Sequence, residues 1–167
     1  MSKIVVGLDL SPSSRAALVW AAGYARLTGQ PVLAVHALPV PAALASVGVL
    51  GLPAPEPSDS IDETYRRAVE DVFSTVDPET GWRLEFYVDD PGAAVVAAAE
   101  DAAAIVVGTR EHTGIGRLVY GSVSRYCLRH AKVPVVAVPL SSVPVVPAHV
   151  AAGTADVADV GATDDPA

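Results

Sequence analysis

Five short apolar runs recur along the chain, with helix-patterned stretches between them: Ile4 to Val6, Val32 to Ala37, Trp82 to Val88, Ala104 to Val107 and Val133 to Val138. Strands that alternate with helices connect through right-handed crossovers, which give a parallel sheet covered on both faces. The punctuation agrees with this reading. Gly7 ends the first run, and Ser11-Pro12 supplies an N-cap and a proline at the first helical position. That helix runs toward Leu27, where Gly29 and Pro31 stop it. Ser60-Ile61-Asp62-Glu63 reads as a capping box, opening a helix with Tyr65, Val69, Val72, Phe73 and Val76 on one face; Asp77-Pro78 ends it. Trp82, Leu84, Phe86 and Val88 alternate with Arg83, Glu85 and Tyr87, as in a half-buried strand. Asp90-Pro91 starts an alanine-rich helix, and a last helix is expected from about Gly121 to His130. The expected class is α/β, a single open, doubly wound sheet of five parallel strands.

At 167 residues the chain can form one domain with a sizeable core, whereas two would be cramped. Its 11 basic and 19 acidic residues give a net charge of −8, which disfavours nucleic acid or an anionic membrane as partner. The one cysteine, Cys127, fits a reducing cytoplasm. The start, MSKIVVGLDLSPSS, has too short an apolar stretch for a signal peptide and reads as a first strand. No window is apolar enough to span a membrane. Two stretches depart from core composition. Residues 38–60 are rich in Pro and Gly and read as a flap within a domain of residues 1–140. Residues 141–167 have no Lys, Arg or aromatic residue but four aspartates, and read as a flexible acidic tail.

In open parallel sheets, ligands sit beyond the carboxyl ends of the strands, where strand order reverses. The segment Val107 to Pro139 joins a strand, a glycine-rich loop, a helix and a strand, an order that places backbone N–H groups around phosphate. Between Gly108 and Lys132 the acidic chain becomes locally basic, with Arg110, Arg117, Arg125, Arg129 and Lys132 against Glu111 alone. Gly121-Ser122 offers a close backbone approach and a hydroxyl, although Ser122 also reads as a simple N-cap. Asp9 is either a ribose acceptor or an ordinary loop acid. Gly108 either admits a ligand or only ends a strand. His36 reads as a satisfied, half-buried histidine and Cys127 as a small core residue. Enzyme signatures are mostly missing: there is no G-x-S-x-G elbow, no P-loop lysine and no metal-ligand spacing. Asp89-Asp90 at a strand end lacks the further acid pair and lysine that a receiver domain needs.

Over residues 2 to 140 the chain resembles the universal stress proteins. The resemblance is carried by Val6-Gly7-Leu8-Asp9-Leu10-Ser11-Pro12, by Ser14-Arg15-Ala16-Ala17-Leu18, by Asp90-Pro91 with its alanine-rich helix, and by Ile105-Val106-Val107-Gly108-Thr109-Arg110. It implies a Rossmann- or flavodoxin-like sheet of order 3-2-1-4-5 and a cytoplasmic homodimer paired through the fifth strand, Val133 to Val138. It also implies a stress-response module that binds ATP or another adenine nucleotide, with Mg2+ as a possible companion, and at most weak hydrolysis. The implied binding residues are Leu8, Asp9, Ala37, Val107, Gly108, Arg110, Gly114, Gly121, Ser122, Val123 and Ser124; no catalytic residue or metal ligand is assigned. Against the family's nucleotide motif, G-x2-G-x9-G-[ST], the spacing is intact but Glu111 stands at the second glycine. A carboxylate there can oppose a polyphosphate, turn to solvent or pair with Arg110, Arg117 or His112. The loop Thr113-Gly114-Ile115-Gly116 can also supply phosphate amides, or the ligand can be a less charged adenine nucleotide. The alternative function is a dimeric stress-response interaction protein whose ATP site Glu111 has disabled.

Overall fold

The computed structural model describes residues 2–38, 63–111 and 118–140. Its elements are β1 (Ile4–Gly7), α1 (Pro12–Thr28), β2 (Val32–Leu38), α2 (Glu63–Ser74), β3 (Arg83–Val88), α3 (Pro91–Ala98), β4 (Ala104–Glu111), β5 (Leu118–Val119), α4 (Ser122–His130) and β6 (Val135–Pro139). Five strands form the expected parallel sheet in the order β3-β2-β1-β4-β6, so the last parallel strand occupies the fifth place. β5 is an addition to that plan: it pairs antiparallel with the end of β4, Arg110 opposite Val119 and Glu111 opposite Leu118.

This addition corrects the expected extent of the fourth strand. The apolar run stops at Val107, but the strand continues through Gly108, Thr109 and Arg110 to Glu111. β6 explains the continuation, because it pairs with β4 as far as Thr109 opposite Pro139. Thr109 is fully buried, and its hydroxyl donates to the Val138 carbonyl. The last strand is likewise displaced, running from Val135 to Pro139 rather than from Val133 to Val138.

The sheet separates two apolar layers. On one face α1 and α2 close over Ile4, Val6, Val32, Ala34, Val106 and Val138, joined by Val69, Phe73 and Trp82. On the other, α3 and α4 cover Val5, Leu33, Val35, Ile105 and Val107 through Ala94, Val95 and Cys127. Alanines at 16, 17, 21, 22 and 25 let α1 lie flat on the strands. Local signals end the helices as expected. Ser11 caps α1 by accepting from the Ser14 N–H, and Gly29 closes it in the left-handed conformation with φ of 66°. Asp90 caps α3, its carboxylate accepting from Ala93 N–H at 3.0 Å. Cys127 is fully enclosed, and burial pushes its thiol up to about 11. The flap expected at residues 38–60 loses Leu38 to β2 and otherwise lies outside the described residues, as do Ser60–Asp62 of the capping box and the 141–167 tail. Among the described residues no helix is long and apolar enough to cross a membrane.

Candidate functional site

The strand order fixes where a cleft can form. β1 lies between β2 and β4, and the helix that follows β1 covers one face of the sheet whereas the helix that follows β4 covers the other, so a crevice opens beyond the carboxyl ends of β1 and β4. A cavity of about 240 Å³ occupies that place. It has two chemically distinct sides. Toward β2 and α3 it is walled by Val35, Ala37, Pro91 and Val95, all apolar. Toward β4, α1 and α4 it is lined by Gly108, Ser11, Ser13, Gly121, Ser122 and Ser124. Gly7, Leu8 and Asp9, at the end of β1, lie between the two. Asp9 is the one titratable side chain among the described lining residues.

The polar side has open donors. α4 begins at Gly121, which caps the helix without a side-chain hydrogen bond. The first helical hydrogen bond runs from Arg125 N–H to Gly121 C=O, so the amides of Ser122, Val123 and Ser124 have no partner within the helix. Those amides and the positive end of the helix dipole suit an anion. The expected role of Ser122 as N-cap is therefore corrected. Gly121 is the cap, Ser122 is the first helical residue and is exposed, and Ser124 donates its hydroxyl back to Gly121 C=O at 3.1 Å.

Asp9 sits in a closely tied turn. Its carboxylate accepts from Ser11 N–H at 2.8 Å, and its own N–H donates to the Ser14 hydroxyl oxygen at 3.1 Å. The preceding Leu8 donates its N–H to Val35 C=O at 2.9 Å. Burial pushes the Asp9 carboxyl up, but hydrogen bonding from Ser11, with the Ser14 hydroxyl and His36 nearby, outweighs it and holds the group below its ordinary value. A depressed carboxyl pKa stabilises the fold above the unfolded value, near 4, and that contribution disappears as pH falls through the folded one. The stability advantage of wild type over Asp9→Asn is therefore expected to be constant above about pH 5 and to shrink below it. Urea unfolding of both proteins from pH 7 to pH 3 checks this; an advantage independent of pH would contradict the assignment.

His36 is more deeply placed than expected. Only 2 % exposed within β2, it holds Leu8 C=O through Nδ1 at 2.8 Å, while Nε2 is buried without a hydrogen-bond partner among the described residues. It packs against Tyr65 and Phe86 with ring centroids 5.5 and 5.6 Å away. It thus supports the Leu8–Asp9 turn from the α2 side of the sheet, and the expectation of a satisfied, half-buried ring holds for one nitrogen only.

Of the residues expected from the sequence, Leu8, Asp9, Ala37, Val107, Gly108, Gly121, Ser122, Val123 and Ser124 all line this one cavity. Gly114 lies outside the described residues, as does Arg117, and Arg110 is described through its backbone alone. Glu111 likewise: its backbone is extended strand, and the only non-glycine φ above zero among the described residues is that of Asp77. Nothing in the main chain at 111 therefore demands glycine. Gly108 has a different reason to be glycine than ligand approach alone. A Cβ there would land on the carbonyl of Ser13, so the absence of a side chain lets the first turn of α1 touch β4. Sequence reasoning missed Ser13, Ser14, Val35, Pro91 and Val95 as wall residues. The run Ser11-Pro12-Ser13-Ser14 was a usable signal, since one cap needs only one of three hydroxyls.

Comparison with known proteins agrees with this arrangement. The sequence model of the Universal stress protein family matches residues 1–139. The chain belongs to that family. A universal stress protein of Mycolicibacterium smegmatis (strain ATCC 700084 / mc(2)155) is 31 % identical over 146 residues, covering 81 % of this chain; the chain spans 47 % of that relative's length. The universal stress protein of Archaeoglobus fulgidus superposes with a TM-score of 0.59 at 28 % identity, covering 83 % of this chain and 98 % of that one. The structure of the universal stress protein from Archaeoglobus fulgidus in complex with dAMP superposes with a TM-score of 0.56 at 27 % identity, covering the same shares. The doubly wound sheet of order 3-2-1-4-5 is thus the universal stress protein fold, and the cavity lies at its strand-order reversal.

Proposed function

We propose that this universal stress protein is a regulatory module that binds an adenine nucleotide in the cleft beyond β1, with a monophosphate preferred over ATP. One observation carries the reading: apolar walls, a carboxylate and open helix amides succeed one another across a single cavity, in the order base, ribose, phosphate. The base lies against Val35, Ala37 and Val95, with the Ala37 main chain meeting its edge. Asp9 accepts from the ribose hydroxyls. The phosphate sits on the amides of Ser122, Val123 and Ser124, within reach of the Ser13 and Ser122 hydroxyls. The dAMP complex of the Archaeoglobus fulgidus relative supports this ligand class.

The preference for one phosphate comes from Glu111, which stands at the second glycine of the nucleotide motif and ends the strand that forms the cleft's polar wall. Further phosphates add negative charge beside that strand, and Mg2+ enters only as a companion of such phosphates. With Asp9 engaged by Ser11 N–H and no other acid or base among the described lining residues, binding is favoured over hydrolysis. Calorimetry with AMP, cyclic AMP and ATP tests the reading. AMP is expected to bind at least about tenfold tighter than ATP, a difference of about 1.4 kcal/mol. Absence of heat with all three nucleotides would remove it in favour of a module that acts through its surface alone.

The proposal includes a homodimer through β6. Among the described residues β6 pairs only with β4, and Val135 to Val138 carry no charge to protect the outer edge. Light scattering is expected to give about twice the 17.1 kDa chain mass at micromolar concentration. A monomer under those conditions would refute the pairing.

A further inference from the structure

We infer that Ser14 is a positioning residue for the nucleotide: its buried hydroxyl fixes the turn that presents the Asp9 carboxylate to the ribose. The inference rests on the adenine-nucleotide reading above and names a residue whose side chain that reading does not use.

Ser14 is only 6 % exposed and is the third residue of α1. At this position in a capping box, a long polar side chain reaches back to the N–H of the cap residue. Here the cap residue's N–H, that of Ser11, goes to the Asp9 carboxylate instead, at 2.8 Å. The Ser14 oxygen reaches two residues further back and accepts from Asp9 N–H at 3.1 Å. Its single proton faces two carbonyls, Asp9 C=O at 2.7 Å and Ser11 C=O at 3.1 Å. One hydroxyl therefore binds both ends of the Asp9 turn to the helix, while the Ser14 N–H is held by Ser11 Oγ at 3.3 Å.

Helix formation does not call for this hydroxyl. Alanine has the higher helical propensity, and the next two residues, Ala16 and Ala17 after Arg15, show that small apolar side chains suit this buried face. What the hydroxyl accomplishes is outside the helix: it holds the Asp9 main chain, from which the carboxylate projects. That carboxylate has no salt-bridge partner among the described residues. A fixed acceptor without a cation, midway between an apolar wall and a set of amides, suits neutral hydroxyl donors such as a ribose diol. Preorganisation of such an acceptor raises affinity by removing the ordering cost at binding.

The test measures AMP and its 2′,3′-dideoxy analogue by calorimetry on wild type, Ser14→Ala, Asp9→Asn and the double variant. Wild type is expected to favour AMP by about tenfold or more, the scale of a hydrogen bond to a charged group. Ser14→Ala is expected to reduce that ratio to about threefold or less, while affinity for the dideoxy analogue changes less than about twofold. In the Asp9→Asn background the same change is expected to leave the ratio unaltered, as residues acting through one contact require. An undiminished ratio in Ser14→Ala, or equal losses for both ligands, overturns the inference and leaves the nucleotide reading standing. Failure of wild type to bind either ligand overturns both. Amide hydrogen exchange on wild type gives a check that needs no variant. Asp9 N–H is expected to be protected at least about tenfold relative to a free amide, and unprotected exchange overturns the inference even if Ser14→Ala does not fold.

Discussion

Alanine at Gly108 is expected to lower stability by about 3 kcal/mol, the upper part of the range for forcing atoms into a filled space. The added Cβ meets the main-chain carbonyl of Ser13, with the Ser13 Cβ only 2.9 Å away. Main chain cannot rotate aside as a side chain can, so either α1 lifts from β4 or the strand bends. Both movements strip contacts from Val6, Leu18 and Val106. Out of a total of about 5–15 kcal/mol for a domain, such a loss is a large fraction. Gly7 supplies the control. A Cβ there meets Val95, Val107 and Val123 side chains at 3.4, 3.6 and 3.9 Å, ordinary contact distances, so Gly7→Ala is expected to change stability by less than about 1 kcal/mol. Urea unfolding of the two variants decides the matter. Equal midpoints would mean that α1 and β4 are not in contact at Gly108.

Glycine at position 111 is expected to raise ATP affinity by about tenfold or more and to leave AMP within about threefold. A carboxylate 4 Å from a phosphate charge costs roughly 4 kcal/mol at an effective dielectric of about 20, and solvent screening reduces this to about 1–2. Each 1.4 kcal/mol is a factor of about ten in affinity. Main-chain strain does not enter, because Glu111 lies in an extended strand opposite Leu118. Titration of both proteins with both nucleotides separates charge from shape: an effect of charge grows from AMP to ATP and weakens with added salt, whereas a steric effect does neither. Identical ATP affinity in wild type and Glu111→Gly would show that position 111 does not face the phosphates.

The succession of strands and helices was readable from the sequence because it rests on local patterns, namely β-branched runs, caps at Ser11 and Asp90, and glycines at strand and helix ends, whereas the sheet order and the nine cleft-lining residues came through the family resemblance. What escaped depends on partners distant in sequence. β4 reads as ending at Val107, since Gly108, Thr109 and Arg110 look like a loop; β6, about thirty residues later, keeps that stretch extended. His36 carries no local sign that Leu8, twenty-eight residues earlier, will take one of its nitrogens. Ser14 reads as one more serine near a helix start until the Asp9 turn folds against it.

Gly92 has a comparable dependence, with a consequence for the cleft as a whole. A Cβ on Gly92 would fall 2.7 Å from the Cβ and Cγ of Tyr126, and the Tyr126 ring is backed by His130 at 4.1 Å between centroids. α3 brings Pro91 to the apolar wall, and α4 brings Ser122 to the polar one. The gap between those walls is therefore gauged by a glycine and a tyrosine that are not among its lining residues. They act as a caliper whose setting fixes how far apart those two walls stand.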